Sequence, residues 1–214
     1  MTKTIKTIIS GLMLAAAVAA PVNAGDATRQ TFVFMADAAS DNPALDTSIA
    51  ERLANKVLID ARSKGFNYGD QVILMSEPGG NNAWDQRFTI LKSQNTHPEQ
   101  LASFLTRKLG ELSRGRLHDN SPVMWALESA GQTLDCTKEE TFVYVFLNGA
   151  SAGNATDKGF GGDGTSPEVL KSCNLVWVGL SINSADLSPK ARRGLIPFFQ
   201  VVATNAGASH ASIQ

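Results

Sequence analysis

The chain has few residues of the kinds that build metal centres or covalent active sites. Among its 214 residues are two cysteines and three histidines, and His97, His118 and His210 show none of the spacings typical of zinc ligands. The G-x-S-x-G pattern of a nucleophile elbow is absent as well. These shortages argue against a zinc enzyme and against a hydrolase built around a serine elbow.

Long apolar runs are also missing, with one exception at the N-terminus. Lys3 and Lys6 come before a predominantly apolar run at residues 8–20, and Val22-Asn23-Ala24 supplies the small residues that a signal peptidase recognises. The run is too short for a transmembrane helix, which needs about 20 residues. The sequence therefore predicts a signal peptide over residues 1–24, a periplasmic or secreted location, and no membrane insertion after cleavage.

The chain also lacks a large excess of either positive or negative charge. Cleavage after Ala24 leaves 190 residues, a usual size for one domain, so we expect a single domain over residues 25–214. The loss of Lys3 and Lys6 leaves 17 basic residues against 20 acidic ones, a net charge of −3. This balance argues against nucleic acid as a partner and against an anionic membrane surface.

The two cysteines fit an oxidising compartment. Cys136 comes shortly before one apolar run, and Cys173 comes just before another. If these runs form neighbouring parallel strands, both cysteines lie at the same end of the sheet and can form a disulfide. Closing this loop of 38 residues stabilises the fold by about 3–4 kcal/mol in the chain-entropy model. The alternative is a pair of buried thiols, and the predicted export favours the disulfide.

Strand-like and helix-like segments alternate along the chain. Short apolar runs bounded by polar residues predict strands, and apolar residues recurring every three or four positions predict helices. The predicted strands are residues 31–36, 71–75, 85–91, 141–147, 175–180 and 201–204; the predicted helices are 42–65, 98–113, 122–134 and 189–199. The alternation predicts an α/β fold in which helices cover both faces of a mostly parallel sheet. Binding groups are then expected in the loops after the strands.

Four segments in this order carry a resemblance to a known family. The first strand runs into Asp37-Ala38-Ala39-Ser40-Asp41, before a long helix, and Ser121-Pro122-Val123-Met124-Trp125-Ala126-Leu127 follows later as a loop and helix. Leu147-Asn148-Gly149 ends a further strand, and Val176-Trp177-Val178-Gly179 forms the next one. Residues 31–205 thereby resemble the von Willebrand factor type A-like family. The resemblance implies a three-layer, doubly wound, Rossmann-like α/β fold.

That family often carries a metal-ion-dependent adhesion site, in which an Asp-x-Ser-x-Ser loop, a threonine and a second aspartate hold Mg²⁺ or Mn²⁺ through oxygen atoms. Here Asp37 matches the first aspartate, Ala39 and Asp41 stand at the serine positions, Ser121 at the threonine and Asn148 at the second aspartate. The resemblance thus implies an altered site for Mg²⁺ or another divalent cation at Asp37, Asp41, Ser121 and Asn148. The alternative, which we favour, is that Asp37 and Asp41 cap the first helix and need no ion.

Two functions of different classes fit these residues. We expect a non-catalytic adaptor or scaffold domain, in a cell-envelope, secretion or conjugation assembly, that binds another envelope or secreted protein. The predicted binding surface consists of residues 37–42, 78–84, the loop around Ser121, and 148–167. The alternative is a periplasmic hydrolase on a similar α/β fold, for which the sequence shows no activated side chain.

A glycine-rich segment at residues 159–164 spells the G-x-G-x-x-G pattern. In dinucleotide-binding proteins this pattern leaves a strand directly and opens a helix, whose free N–H groups hold the pyrophosphate. Here it comes ten residues beyond Gly149, within a long polar loop. The sequence therefore predicts a loop at this position and no nucleotide cofactor.

Overall fold

Six strands and four α-helices alternate along the chain, in a computed structural model that describes residues 29–38, 40, 42–76, 85–92, 97–114, 123–148, 168–180 and 189–214. The strands are β1 (Thr31–Ala36), β2 (Gln71–Ser76), β3 (Asp85–Thr89), β4 (Thr141–Phe146), β5 (Asn174–Val178) and β6 (His210–Ile213). The helices are α1 (Thr47–Ser63), α2 (Pro98–Leu112), α3 (Val123–Thr133) and α4 (Pro189–Asn205), with a short 3-10 helix at Pro43–Leu45.

The strands form one mostly parallel sheet in the order β3-β2-β1-β4-β5-β6. β1 lies at the centre and pairs in parallel with β2 and β4, so that Thr31 is opposite both Gln71 and Thr141. Only the edge strand β3 is antiparallel to its neighbour, and β6 forms the other edge. Every residue of β1 and β4 is buried, as expected for strands covered on both faces. The predicted mostly parallel sheet is confirmed.

Helices cover both faces of the sheet, and each face has its own apolar cluster. Phe32, Phe34 and Tyr144 point towards α1 and α2, which bury their leucine and alanine stripes against them. Trp177 belongs to the other face, where it packs edge-on against Phe199 of α4 and shares a cluster with residues of α3. The architecture is therefore α/β with three layers, compatible with a Rossmann-like fold.

Helix α1 begins and ends at residues whose chemistry suits those positions. The carboxylate of Asp46 accepts hydrogen bonds from the backbone N–H groups of Ser48 and Ile49, which satisfies donors left open by the first turn. At the other end Gly65 has a φ of 96°, a left-handed conformation that side chains disfavour. This helix returns the chain from the end of β1 to the opposite end of the sheet, where β2 begins.

The last strand lies further along the chain than predicted. A strand was predicted at residues 201–204, but α4 continues through them to Asn205, and the last strand is His210–Ile213. Val202 and Ala203 continue the buried helical repeat of Leu195 and Phe199. The β-branched run suggested a strand, yet its helical spacing decides the structure, because that spacing keeps the apolar stripe on the sheet.

The predicted disulfide is confirmed. Cys136 precedes β4 and Cys173 precedes β5, and the two residues are bonded with a Cα–Cα distance of 5.1 Å. Because β4 and β5 are parallel neighbours, both cysteines lie at the end of the sheet where strands begin. The bond joins the two turns that lead into adjacent strands.

No helix among the described residues combines the length and apolar character needed to cross a bilayer. The predicted signal peptide, residues 1–24, lies outside the described residues, and so does the glycine-rich segment 159–164. Both therefore stay predictions from the sequence.

Candidate functional site

Polar residues follow two central strands where they end. Asp37 comes directly after β1, and Asn148 lies two residues beyond β4. Because Ala36 is opposite Phe146 in the parallel pairing of these strands, Asp37 and Asn148 lie on neighbouring strand ends. Both are buried, with exposed fractions of 6% and 2%. We call this end of the sheet, together with the loop from Asp37 to Asn42, the carboxyl edge.

Asn42 holds the loop after β1 against the ends of two strands. Its Nδ2 donates hydrogen bonds to the carbonyl oxygens of Asp37 (2.6 Å) and Phe146 (2.9 Å), and its Oδ1 accepts one from the N–H of Ala44 (3.0 Å). The backbone N–H of Asp37 in turn donates to the carbonyl of Phe146 (3.1 Å). The backbone of Asp37 is thus fixed by β4 and by Asn42.

The capping roles at the start of the first helix belong to residues other than those predicted. Asn42 caps the 3-10 helix, and Asp46 caps α1. The prediction that Asp37 caps the first helix is therefore wrong, because five residues and a separate 3-10 turn intervene before Asp46 and Thr47. Asp41, its predicted companion, lies outside the described residues.

A glycine allows the 3-10 helix to approach the end of β5. Gly179 has a φ of 87°, and a Cβ placed there would lie 3.3 Å from the carbonyl oxygen of Leu147 and 3.3 Å from Cγ of Pro43. The N–H of Leu147 donates to the carbonyl of Val178 (3.0 Å), which joins β4 and β5 at the same level. A side chain at position 179 would therefore push the loops of the carboxyl edge apart.

Two of the four predicted cation ligands are brought to adjacent positions. Asp37 and Asn148 offer carboxylate and amide oxygens on neighbouring strand ends, whereas Asp41 and Ser121 lie outside the described residues. Within the described part of the chain, no group of three or more His, Cys, Asp or Glu side chains is placed to hold a metal ion. Mg²⁺ is commonly held by one or two carboxylates with water completing its six oxygens, so Asp37 and Asn148 would supply only part of such a shell.

Two residues of the carboxyl edge had no role assigned from the sequence. Ser76 ends β2 opposite Ala36, one strand away from Asp37, so it adds a polar residue to the edge. Asn42 was placed at the start of the predicted first helix and in the predicted binding surface, without a capping role. The Asn-Pro pair that begins the 3-10 helix was the available signal for its capping role, since Asn favours the N-cap and Pro the first helical position.

The opposite end of the sheet, where strands begin, is also polar, and we call it the amino edge. The buried carboxylate of Asp70 accepts hydrogen bonds from the backbone N–H groups of Gln30 (3.1 Å) and Asn67 (2.7 Å). The side chain of Gln30 donates to Glu140 (2.7 Å), and the hydroxyl of Thr31 donates to Glu139. These bonds link segments that are far apart in the sequence.

A groove of about 300 Å³ lies at the amino edge, between β3 and the turn that contains Cys136. Charged side chains along it pair with one another: Lys138 lies 2.7 Å from Asp135. Hydrogen bonds from Lys138 and Thr137 lower the pKa of Asp135 to about 2. A carboxylate with so low a pKa is a weak base, and this one is already paired with Lys138, so it is poorly suited to act as a general base.

One tyrosine beneath α1 has a strongly shifted ionisation. Burial raises the pKa of Tyr144, and the nearby Asp60 carboxylate, which accepts a hydrogen bond from its hydroxyl (2.9 Å), raises it further. Asp60 is also paired with Lys64, whose Nζ lies 5.8 Å from the centre of the Tyr144 ring. The tyrosine is fully buried, so this network stabilises the fold and does not reach a substrate.

Comparisons with known proteins do not assign a family. No protein-family model matches the chain, and no curated protein matches it. The function is therefore inferred from the residues and geometry of the two sheet edges.

Proposed function

We propose that this chain is an exported, non-catalytic protein-binding domain of the von Willebrand factor type A-like kind, which docks another envelope or secreted protein through its carboxyl edge. The observation that supports the proposal most is the placement of Asp37 beside Asn148 on central strand ends, with the Asp37 backbone fixed by Asn42. By the resemblance, these positions correspond to those at which the family holds the ion that its partner's carboxylate completes. The Cys136–Cys173 disulfide favours the oxidising, exported location included in the proposal.

Binding is favoured over catalysis by the side chains at the carboxyl edge. Its described residues include Asp37, Asn42, Ser76 and Asn148, and none of the described residues there is a histidine, cysteine or lysine. A hydrolase needs a nucleophile and a base within hydrogen-bond reach of each other. Asp37, Asn42 and Asn148 are buried, Asn42 fixes the backbone at the strand ends, and a rigid polar edge of this kind suits docking of a partner protein.

The proposed docking does not depend on a cation. In the resembled family an ion bridges the domain to a carboxylate of its partner, and Mg²⁺ or another divalent cation at Asp37, Asp41, Ser121 and Asn148 is the corresponding possibility here. The described residues contribute one carboxylate and one amide to such a site. Such a set suits Mg²⁺ only with water completing the shell, whereas direct hydrogen bonding to the partner needs no further ligand and is the primary proposal.

The test is affinity capture of the partner on the immobilised chain, followed by measurement of its binding by the purified components. We expect Asp37→Ala to weaken binding by about tenfold or more, equivalent to about 1.4 kcal/mol. Asp70→Ala is the matched control, because it removes a carboxylate that is equally buried, 6% exposed, at the amino edge. Equal loss in both variants, or turnover of generic esters or phosphates without a captured partner, would contradict the proposal.

A chelator arm distinguishes direct docking from docking through an ion. With direct docking, capture in EDTA recovers as much partner as capture in Mg²⁺. Loss of the partner in EDTA, with recovery on adding Mg²⁺, Mn²⁺ or Ca²⁺, would show an ion at the carboxyl edge. In that case Asp37→Ala should abolish the cation dependence as well as the binding.

A further inference from the structure

The edge strand β6 leaves a row of backbone hydrogen-bonding groups without a neighbouring strand among the described residues. β6 pairs in parallel with β5 on one side, and it is last in the strand order on the other side. Gln214 uses both of its backbone groups towards β5: its N–H donates to Trp177, and its carbonyl accepts from Gly179. The direction of these groups alternates along a strand. His210 and Ser212 therefore also face β5, and Ala211 and Ile213 face outwards.

This outer edge is self-complementary. If two copies meet across a two-fold axis at Ser212, β6 of one copy runs antiparallel to β6 of the other, and Ala211 stands opposite Ile213 of the second copy. Both residues direct N–H and C=O outwards, so each such pair forms the two-way exchange of hydrogen bonds found in antiparallel sheets. A shift by one residue would set inward-facing groups against outward-facing ones, so that register is excluded.

The composition of β6 does not oppose such pairing. Natural edge strands are commonly protected by very short length, charged residues, proline or bulges, and of the first three β6 has only its short length of four residues. The other edge strand, β3, carries Asp85 and Arg87, whereas His-Ala-Ser-Ile in β6 contains neither proline nor an acidic residue, lysine or arginine. Among the described residues, β6 is therefore the sheet edge that is better suited to accept another strand.

Several exposed apolar side chains belong to β6 and to the helix that contacts it. Of the six large hydrophobic residues exposed in the described part of the chain, three belong to α4 and β6: Ile196 (49% exposed), Val201 (56%) and Ile213 (37%). α4 contacts β6, and Ile213 lies on the same face of the sheet as Trp177, which α4 covers. Pairing of two β6 strands would bury Ile213 against Ala211 of the second copy.

From this combination we propose that the occupant of the β6 edge is a second copy of the chain, so that two sheets join into one continuous sheet across a two-fold axis. The pairing depends on outward backbone groups at Ala211 and Ile213 and on the absence of charge in β6. It is independent of the docking proposed for the carboxyl edge. A pair of copies would present two carboxyl edges in a fixed relation.

Sedimentation equilibrium of the purified full chain over a series of concentrations tests this proposal. The wild type should approach twice the mass of one chain. Ala211→Pro should halve the measured mass, because it removes an outward N–H and leaves the bonds to β5 in place. Ile213→Lys should do the same by placing a charge at the pairing edge. Thr89→Lys, an equivalent substitution at the exposed edge of β3, should leave the mass doubled.

Circular dichroism melting shows which variants remain folded, and Ile213→Lys keeps the test decisive if proline disrupts the strand. Hydrogen exchange provides a second measurement, since the amides of Ala211 and Ile213 should be protected only in the two-chain state. A wild type with the mass of one chain at every concentration would overturn the proposal. So would a doubled mass that persists in folded Ala211→Pro and Ile213→Lys.

Discussion

The two ends of the central sheet bury the same number of polar residues but use them differently. Among the described residues these are Thr31, Asp70 and Thr141 at the amino edge, and Asp37, Asn42 and Asn148 at the carboxyl edge. At the amino edge, side chains and a disulfide connect four separate segments of the chain. At the carboxyl edge, Asn42 connects one loop to two strand ends. We infer that the amino edge mainly stabilises the fold and that the carboxyl edge is organised for binding.

Removal of the disulfide should have the largest effect on stability of the changes that test this comparison. Replacing Cys136 and Cys173 with serine opens a link between residues 37 positions apart and should lower the free energy of unfolding by about 3–4 kcal/mol. Denaturant unfolding measures this loss. The wild type under reducing conditions should behave like the double variant, and the folded variant should still bind the partner. Equal stability of the oxidised and reduced forms would refute the stabilising role of the amino edge.

The next test compares one buried polar residue from each edge. Asp70→Ala leaves the N–H groups of Gln30 and Asn67 without their charged acceptor and should cost about 2–3 kcal/mol. Asn42→Ala should cost less, about 1–2 kcal/mol, since the carbonyl of Phe146 keeps its bond from Asp37. Partner binding should show the reverse order, with the larger loss in Asn42→Ala. The same order in stability and binding would remove the distinction between the edges.

The smallest effect concerns alkaline pH. The pKa of Tyr144 is raised by burial and by Asp60, so its phenol stays protonated in the folded chain while it ionises near pH 10.0 after unfolding. The unfolded state then binds fewer protons. Stability from this group is complete below that pH and falls above it, by about 1.4 kcal/mol per pH unit. Urea unfolding across alkaline pH should show this slope in the wild type.

Two variants separate this slope from other alkaline effects. Tyr144→Phe should reduce the slope, and Tyr68→Phe, which changes the other tyrosine of the chain, should retain it. Tyr68 is 62% exposed, so its substitution controls for a tyrosine at the surface. A slope that is the same in all three proteins would show that Tyr144 does not set the alkaline limit.

The sheet was predictable to the extent that its strands are buried on both faces. β1, β2, β4 and β5 are short apolar runs, and a strand covered by helices on both sides requires that composition. β6 was missed because His-Ala-Ser-Ile lies at an edge, where polar and small residues are tolerated. Residues 201–204, inside α4, were assigned as the last strand because the run Val-Val-Ala-Thr is rich in β-branched residues.

The site was predictable to the extent that the family resemblance groups its residues. The resemblance assigned Asp37 and Asn148 to one cation site, and the pairing of β1 with β4 places them on adjacent strand ends. The roles of Asn42 and Asp46 depend on where a 3-10 turn separates from α1, which the residue pattern does not specify. Asp41 and Ser121 lie outside the described residues, so their part in the site stays a prediction.

The disulfide also determines what a protease can achieve. The bond between Cys136 and Cys173 encloses β4 and all residues up to the start of β5. A single cleavage anywhere between the two cysteines would produce two fragments, each carrying one cysteine. The disulfide would keep these fragments covalently joined. Such a nicked chain would run as one band on a non-reducing gel and as two after reduction. Surface segments in this interval could therefore be cut without separating β4 from β5.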